Sequence, residues 1–287
     1  MGYSLIDVLK DNPLIFQMED YSQRDPGYDI FVKLTQMILP NFVFFLIIVA
    51  VIISVPMTWI LYRFTHSLPA IVIGVLIYEA LFSNFFETGI RQTLAMGIIY
   101  SSLPFVIRKK WIPHYLMLLV AYFFHSSALI FAPFYILCQL KINRKFLLIA
   151  ILLTPIIMVY SKDMIILVSD GTMFEQYALT TEHNAGTPVF SAMLLIVAIG
   201  VWMYSKRLDE RIMTNRMMIV AMICSLVLMP SSWVNSNFIR LVFYYLVFLM
   251  PLVPKIIECI SPVKDTRNVL YFLTGSALVF LSVQQGF

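Results

Sequence analysis

The sequence predicts an all-α fold, a polytopic bundle of transmembrane helices. Three observations carry this: 60% of its 287 residues are hydrophobic and 13% are charged, apolar stretches of spanning length follow one another from residue 40 onward, and Lys and Arg collect in alternate linkers. A soluble domain is about 45–50% apolar and about 25% charged. A chain this apolar cannot hide its surface from water by folding alone, so it needs lipid as a solvent.

A spanning helix needs roughly 20 mostly apolar residues. About nine segments meet or approach that: 40–62, 67–85, 88–107, 111–140, 146–168, 189–205, 217–235, 238–257 and 268–285. Residues 28–39 read as an amphipathic helix lying at the interface. Ahead of it the chain is polar, with Asp7, Lys10, Asp11, Glu19, Asp20, Arg24 and Asp25, and no signal peptide is visible. The expected organisation is therefore a polar extracytoplasmic segment over 1–39 and a single transmembrane domain over 40–287. The longest polar connection is 169–188.

Segment 111–140 is flanked by Arg108-Lys109-Lys110 and by Lys141, Arg144 and Lys145. Basic residues mark cytoplasmic loops. Two basic flanks mean that the segment goes in and comes back, as a re-entrant helical hairpin with its tip near His125-Ser126-Ser127. Such a turn must be buried in protein or line a wet cavity. The competing reading is one long tilted helix.

The same rule orients the whole chain. Linkers 63–66, 108–110, 141–145, 206–216 and 255–267 hold 14 of the 20 Lys and Arg and four of the 16 acids. Placed inside, they put residues 1–39, the 83–90 turn, the 169–188 loop and the 231–237 turn outside.

Ionisable side chains within spans cost several kcal/mol and are functional candidates by default. Arg91 and Arg240 each stand near the outer end of a span, and Glu79 lies inside another. His125 stands 14 residues after Trp111, or about 21 Å of helical rise, in the outer half of a bilayer core about 30 Å thick. Two guanidinium groups and an imidazole opening to one side suit an anion, because guanidinium groups bind phosphate oxygens through paired, charge-assisted hydrogen bonds. Plainer readings compete. Arg91 could only pair with Glu87 four residues earlier, Arg240 could snorkel to the interface, and His125 could be a satisfied polar turn.

Walker, GxGxxG, HExxH and GxSxG motifs are absent. The four histidines are widely separated, and Cys138, Cys224 and Cys259 are scattered, so neither a metal site nor a disulfide frame is expected. The aromatics lie within apolar spans, which gives no sign of nucleic-acid binding.

At these residues the sequence resembles a known family. Glu87-Thr88-Gly89-Ile90-Arg91-Gln92-Thr93-Leu94-Ala95 resembles a central Gly-x-Arg-Gln-x-x-Ala signature. Ala121 to Ala128, around His125 and Ser127, resembles an Ala-x-x-x-His-x-Ser pattern followed by Pro133 and Tyr135. Asp25-Pro26-Gly27-Tyr28 is similar to a Glu/Asp-Pro-Gly-Tyr element, and Asn237, Arg240 and Tyr244 to a late Asn-x-x-Arg region. The family is the EpsG group of bacterial polysaccharide polymerases, similar to the Wzy O-antigen polymerases, and the likeness covers roughly residues 20–260. Family members usually begin with one or two spans before the acidic loop, whereas this chain starts in a polar segment. A truncated start or a short variant is the expectation from that difference.

The resemblance implies a metal-independent glycosyltransferase without cofactor. It would join polyprenyl-diphosphate-linked oligosaccharide repeats on the outer face of the bacterial cytoplasmic membrane, in contact with membrane lipids and alongside a chain-length regulator protein. Arg91 and Arg240 would hold the donor diphosphate. His125 would be either the base for the acceptor hydroxyl or a third diphosphate ligand. Gln92, Asn235 and Asn237 would bond sugar hydroxyls, with Asp25 and Glu87 as acidic candidates for the base. The competing functions are an O-antigen-ligase-like transferase, a lipid-linked oligosaccharide flippase, and a non-catalytic scaffold. A flippase would show charge reaching both faces and paired repeats, and neither is visible.

Overall fold

The computed structural model describes residues 25–140, 142, 144–169, 186–209 and 211–284. The polar stretch 1–24 and nearly all of the 169–188 loop lie outside the described residues. Among those described, the chain is helical and has no strand. Every apolar segment expected from the sequence is helical over most of its length. Five stretches are long and apolar enough to cross a bilayer: Phe42–Phe64, Ile90–Ile107, Arg144–Ser161, Phe190–Arg207 and Met213–Trp233. Ser236–Leu246 and Leu249–Ile260, bent by 63°, make a sixth if they count as one span. The chain is an all-α membrane bundle divided into two compact units, Met1–Trp59 with Phe85–Ala132, and Ile60–Asn84 with Pro133–Phe287.

In the first unit, α1 (Pro26–Ile38) forms over the segment expected to be an amphipathic interfacial helix. Pro26 opens it, where a missing N–H costs nothing. Val32 and Thr35 are buried, and Ile30, Leu34, Met37 and Ile38 are exposed on the opposite side. A helix apolar on both faces fits a position with protein on one side and lipid on the other. Val32 packs with Phe45 and Val49 of α2 (Phe42–Phe64) and with Leu94 of α4 (Ile90–Ser101). Helix α4 is the centre of this unit, buried at eight positions from Gln92 to Tyr100. It approaches α2 at Gly97, where a Cβ would stand 2.7 Å from the Ile52 carbonyl oxygen; only glycine permits that crossing.

After α4 the helical ladder is interrupted at Ser102 before α5 (Leu103–Ile107), because Pro104 has no N–H to continue it. The Ser102 hydroxyl donates to the Ile99 carbonyl at 2.6 Å and meets His114 Nδ1 at 2.8 Å. This buried pair ties α4 to α6 (Trp111–Phe124).

Segment 111–140 folds as a helical hairpin. Helix α6 ends at His125, whose backbone is extended, and a 3-10 turn over Ser126–Phe131 follows. The Tyr115 hydroxyl donates to the Ala132 carbonyl at 3.0 Å, and the His114 and Phe131 ring centroids are 6.4 Å apart. In one continuous helix, residues 17 apart would stand about 25 Å from each other. The chain therefore doubles back around His125, as the basic flanks predict.

In the second unit the hairpin's return leg, α7 (Ala132–Gln139), places Phe134 against Tyr245 and Phe248. Helices α8 (Arg144–Ser169) and α9 (Gly186–Tyr204) present many exposed apolar side chains, as lipid-facing helices do. Helix α10 (Met213–Leu228) is buried nearly throughout and forms the core. Inside such a helix Ser225 returns its hydroxyl to the Ala221 carbonyl, so that no polar atom faces lipid. The basic linker residues also cap helix ends. Arg216 donates to the Cys138 carbonyl at 3.3 Å, and Arg207 to the Cys259 carbonyl, each at a negative helix terminus.

Segment 238–257 is broken into α11 (Ile239–Leu246) and α12 (Leu249–Ile260). Pro251 offers no N–H to the Val247 carbonyl and its ring crowds that position, which accounts for a bend at 247–248. Helix α13 (Lys264–Gln284) is tied to α12 and to the start of α3 (Leu68–Thr88) by one carboxylate. Glu258 Oε1 accepts from Ser67 Oγ at 3.2 Å and from the Tyr271 hydroxyl at 3.2 Å.

Candidate functional site

The first turn of α1 rests on the tip end of α6. A Cβ on Gly27 would stand 2.9 Å from both the carbonyl carbon and the carbonyl oxygen of Phe123. No real side chain tolerates that distance to backbone, so glycine is what lets α1 seat there. Seating α1 brings Asp25, the residue just before the helix, over His125 at the hairpin tip. Tyr28, one turn on, packs edge-on against Phe45 at 6.3 Å.

Arg91 arrives from the first turn of α4. A cation there opposes the positive end of the helix dipole, and a carboxylate offsets it. Arg91 Nη1 donates to Asp25 Oδ2 at 3.2 Å, and the guanidinium carbon lies 5.3 Å from the Tyr28 ring centroid. His125 Nδ1 stands 3.4 Å from the same Asp25 oxygen. The Asp25 side chain is 8% exposed, against 33% for Arg91 and 31% for His125. One buried carboxylate thus holds two partly exposed nitrogen groups side by side.

Burial by itself would raise the Asp25 pKa. The hydrogen bond and charge of His125, then those of Arg91, outweigh it, and the carboxyl ends below its ordinary value. Asp25 is therefore an anion across the physiological range. It fixes the Arg91 fork in direction and, by accepting from Nδ1–H, favours the imidazole tautomer whose Nε2 carries the lone pair.

Of the residues singled out in the sequence, the structure brings together Asp25, Arg91 and His125. Gln92 is buried at 3% exposure on α4. The Glu87 side chain lies outside the described residues; among those described, Arg91 pairs with Asp25. Asn235, Asn237 and Arg240 lie in the second unit. Asn235 is buried, and its Oδ1 accepts from the Asn237 backbone N–H at 2.9 Å, capping the turn Ser236–Phe238. Arg240 is exposed in the first turn of α11. Beside this turn Trp233 Nε1 donates to Ser191 Oγ at 2.8 Å, pinning α9.

Sequence reasoning missed Tyr28 as the platform beneath Arg91, and Gly27 as the close approach that makes the site. The signal was present in Asp-Pro-Gly-Tyr, where a glycine stands between a helix-starting proline and an aromatic. Among the described residues no group of three or more His, Cys, Asp and Glu could hold a metal ion.

The sequence model of the EpsG family matches residues 2–284. The chain belongs to the EpsG family. No curated protein and no solved structure matches it. Family membership makes this EpsG protein a membrane protein of polysaccharide biosynthesis, with glycosyltransferase-like polymerisation as its general chemistry. The Asp25–Arg91–His125 cluster lies within the matched residues.

Proposed function

We propose that this EpsG protein polymerises polyprenyl-diphosphate-linked oligosaccharide repeats at the non-cytoplasmic face of the bacterial cytoplasmic membrane, by a Wzy-like, metal-independent glycosyl transfer. The observation that carries the reading is the single Asp25 oxygen shared by Arg91 and His125.

The chemistry runs in one displacement. A sugar hydroxyl of a fresh repeat unit attacks the anomeric carbon of the growing glycan. The bond from that carbon to the diphosphate oxygen breaks, and the polyprenyl diphosphate leaves with the electron pair. His125 Nε2 takes the hydroxyl proton. Arg91 meets the negative charge that builds on the leaving diphosphate, and because Asp25 and Tyr28 already aim it, little reorganisation is left to the moment of reaction. Arg240 is kept as a donor-binding candidate, and Gln92, Asn235 and Asn237 as sugar-binding candidates. The 8% side-chain exposure of Asp25 supports a positioning role for it, with His125 as the base. The 3.4 Å contact between them is long, and such contacts commonly close only when substrate is bound.

The test is reconstitution of the purified chain with a defined polyprenyl-diphosphate oligosaccharide and no other acceptor. The expected product is a ladder of glycan lengths. No ladder without an added lipid or protein acceptor would mean a ligase-type transferase. Movement of intact substrate between leaflets without new glycosidic bonds would mean a flippase.

A further inference from the structure

The second unit holds a lateral groove of about 820 Å³ between α3 and α13. Val72 and Leu76 form one wall and Phe272, Gly275, Val279 and Phe280 the other, and the lining is almost wholly apolar. That volume is within the roughly 300–1,000 Å³ of a small-molecule site.

Three features identify the occupant. The α13 wall runs from Tyr271 to Phe280, a rise of about 14 Å. That is half of a hydrocarbon core about 30 Å thick, the depth of one leaflet. The helices lie side by side with their first turns at the same end, where Ser67 and Tyr271 both donate to Glu258. Just past that end stand Lys264 and Arg267 in the first turn of α13, with Lys264 and Arg63 exposed and Arg267 half-buried. Asp265 in the same turn meets the helix dipole, and Lys264, Arg267 and Arg63 outnumber it, so this end carries an excess of positive charge that suits an anion. The excess of Lys and Arg in these linkers assigns this end to the cytoplasmic leaflet, which carries the anionic lipids.

We propose that this groove binds one acyl chain of an anionic phospholipid, with the lipid phosphate held by Lys264 and Arg267. The inference rests on the membrane-spanning fold and is independent of the reaction proposed above.

The experiment is native mass spectrometry of the full chain taken from bilayers of phosphatidylcholine containing a minor fraction of phosphatidylglycerol. The expected result is one phosphatidylglycerol retained through delipidation, in preference to phosphatidylcholine. Lys264→Gln with Arg267→Gln reduces that retention at least fivefold and leaves phosphatidylcholine retention unchanged. Ser276→Trp fills the groove from its exposed rim and reduces retention of both lipids at least tenfold. The two charge changes lie at the helix start and leave the packed helices intact, so they report even where the tryptophan variant is poorly folded. Equal retention of the two lipids overturns the proposal. So does a dimer that survives delipidation with no lipid bound, or retention of added polyprenyl phosphate in place of phosphatidylglycerol.

Discussion

Arg91 and Arg240 carry the same charge and read alike in the sequence, yet they are held differently. Arg91 is clamped between a buried carboxylate at 3.2 Å and an aromatic face at 5.3 Å, with a third of its side chain exposed. Arg240 is exposed in the first turn of α11, beside an asparagine already engaged in capping. A cation fixed before substrate arrives is the kind that stabilises a transition state, because its orientation cost is met during folding. Under the proposed function, Arg91, already aimed by a buried carboxylate, is the candidate for the bond-breaking step, and the more exposed Arg240 the candidate for capture of the donor.

The largest effect tests that division directly. Removing one preorganised donor typically costs about 10²–10³ in turnover, so Arg91→Ala is expected to lower kcat by about that factor while the protein still inserts. Arg91→Lys recovers little, since an ammonium offers neither the planar fork nor the stacking surface. Arg240→Ala is expected to raise KM by about tenfold, a loss near 1.4 kcal/mol, and Arg240→Lys to restore most of it. Polymerisation kinetics with a defined lipid-linked repeat check both. Equal behaviour of the two lysine variants would break the comparison.

Next in size is Asp25→Asn, which keeps the shape and removes the charge that both neighbours share. It is expected to lower kcat by about tenfold or more. The same carboxylate gives a stability signature. Its folded pKa lies below the ordinary 3.8. Its contribution is therefore fully present above about that value and is lost as pH falls through the lowered one. Acid titration of α1 docking, followed by a label on the helix, should show the release in wild type and little pH dependence in Asp25→Asn.

How much of this was legible beforehand follows from the range of the interactions. The hairpin was legible because Arg108-Lys109-Lys110 and Lys141-Arg144-Lys145 are local signals that force two ends to one side. Helix α1 was legible from its own pattern. The break near 247 was not read, although Pro251 and Pro254 marked it; an apolar run hides a bend when only hydropathy is counted. The site itself depends on pairs 66 and 100 residues apart in the chain. Depth arguments could place Arg91 and His125 near one face. No local rule could show that a single oxygen of Asp25 meets both.

A moderate effect is expected at Gly27. In Gly27→Ala the new methyl meets the Phe123 backbone at 2.9 Å, and backbone cannot yield as a side-chain tip can. Overpacking of this kind costs about 1–3 kcal/mol. The first turn of α1 would lift, moving Asp25 and Tyr28 together away from Arg91 and His125. Activity should fall by about fivefold to 100-fold with the transmembrane helices unchanged. Hydrogen exchange that rises at α1 and leaves α10 untouched would confirm that the damage is local.

The smallest effect isolates the aromatic platform. A cation–π contact at a partly exposed site contributes about 0.5–1 kcal/mol, so Tyr28→Leu should cost about twofold to fivefold. Tyr28→Phe keeps the ring and should behave as wild type, unless the hydroxyl has work of its own. The decisive readout is how the leucine loss divides. If the ring only helps bind the donor, the loss falls on KM. If it holds the guanidinium where the diphosphate departs, the loss falls on kcat and vanishes in an Arg91→Lys background, where there is no planar group left to stack.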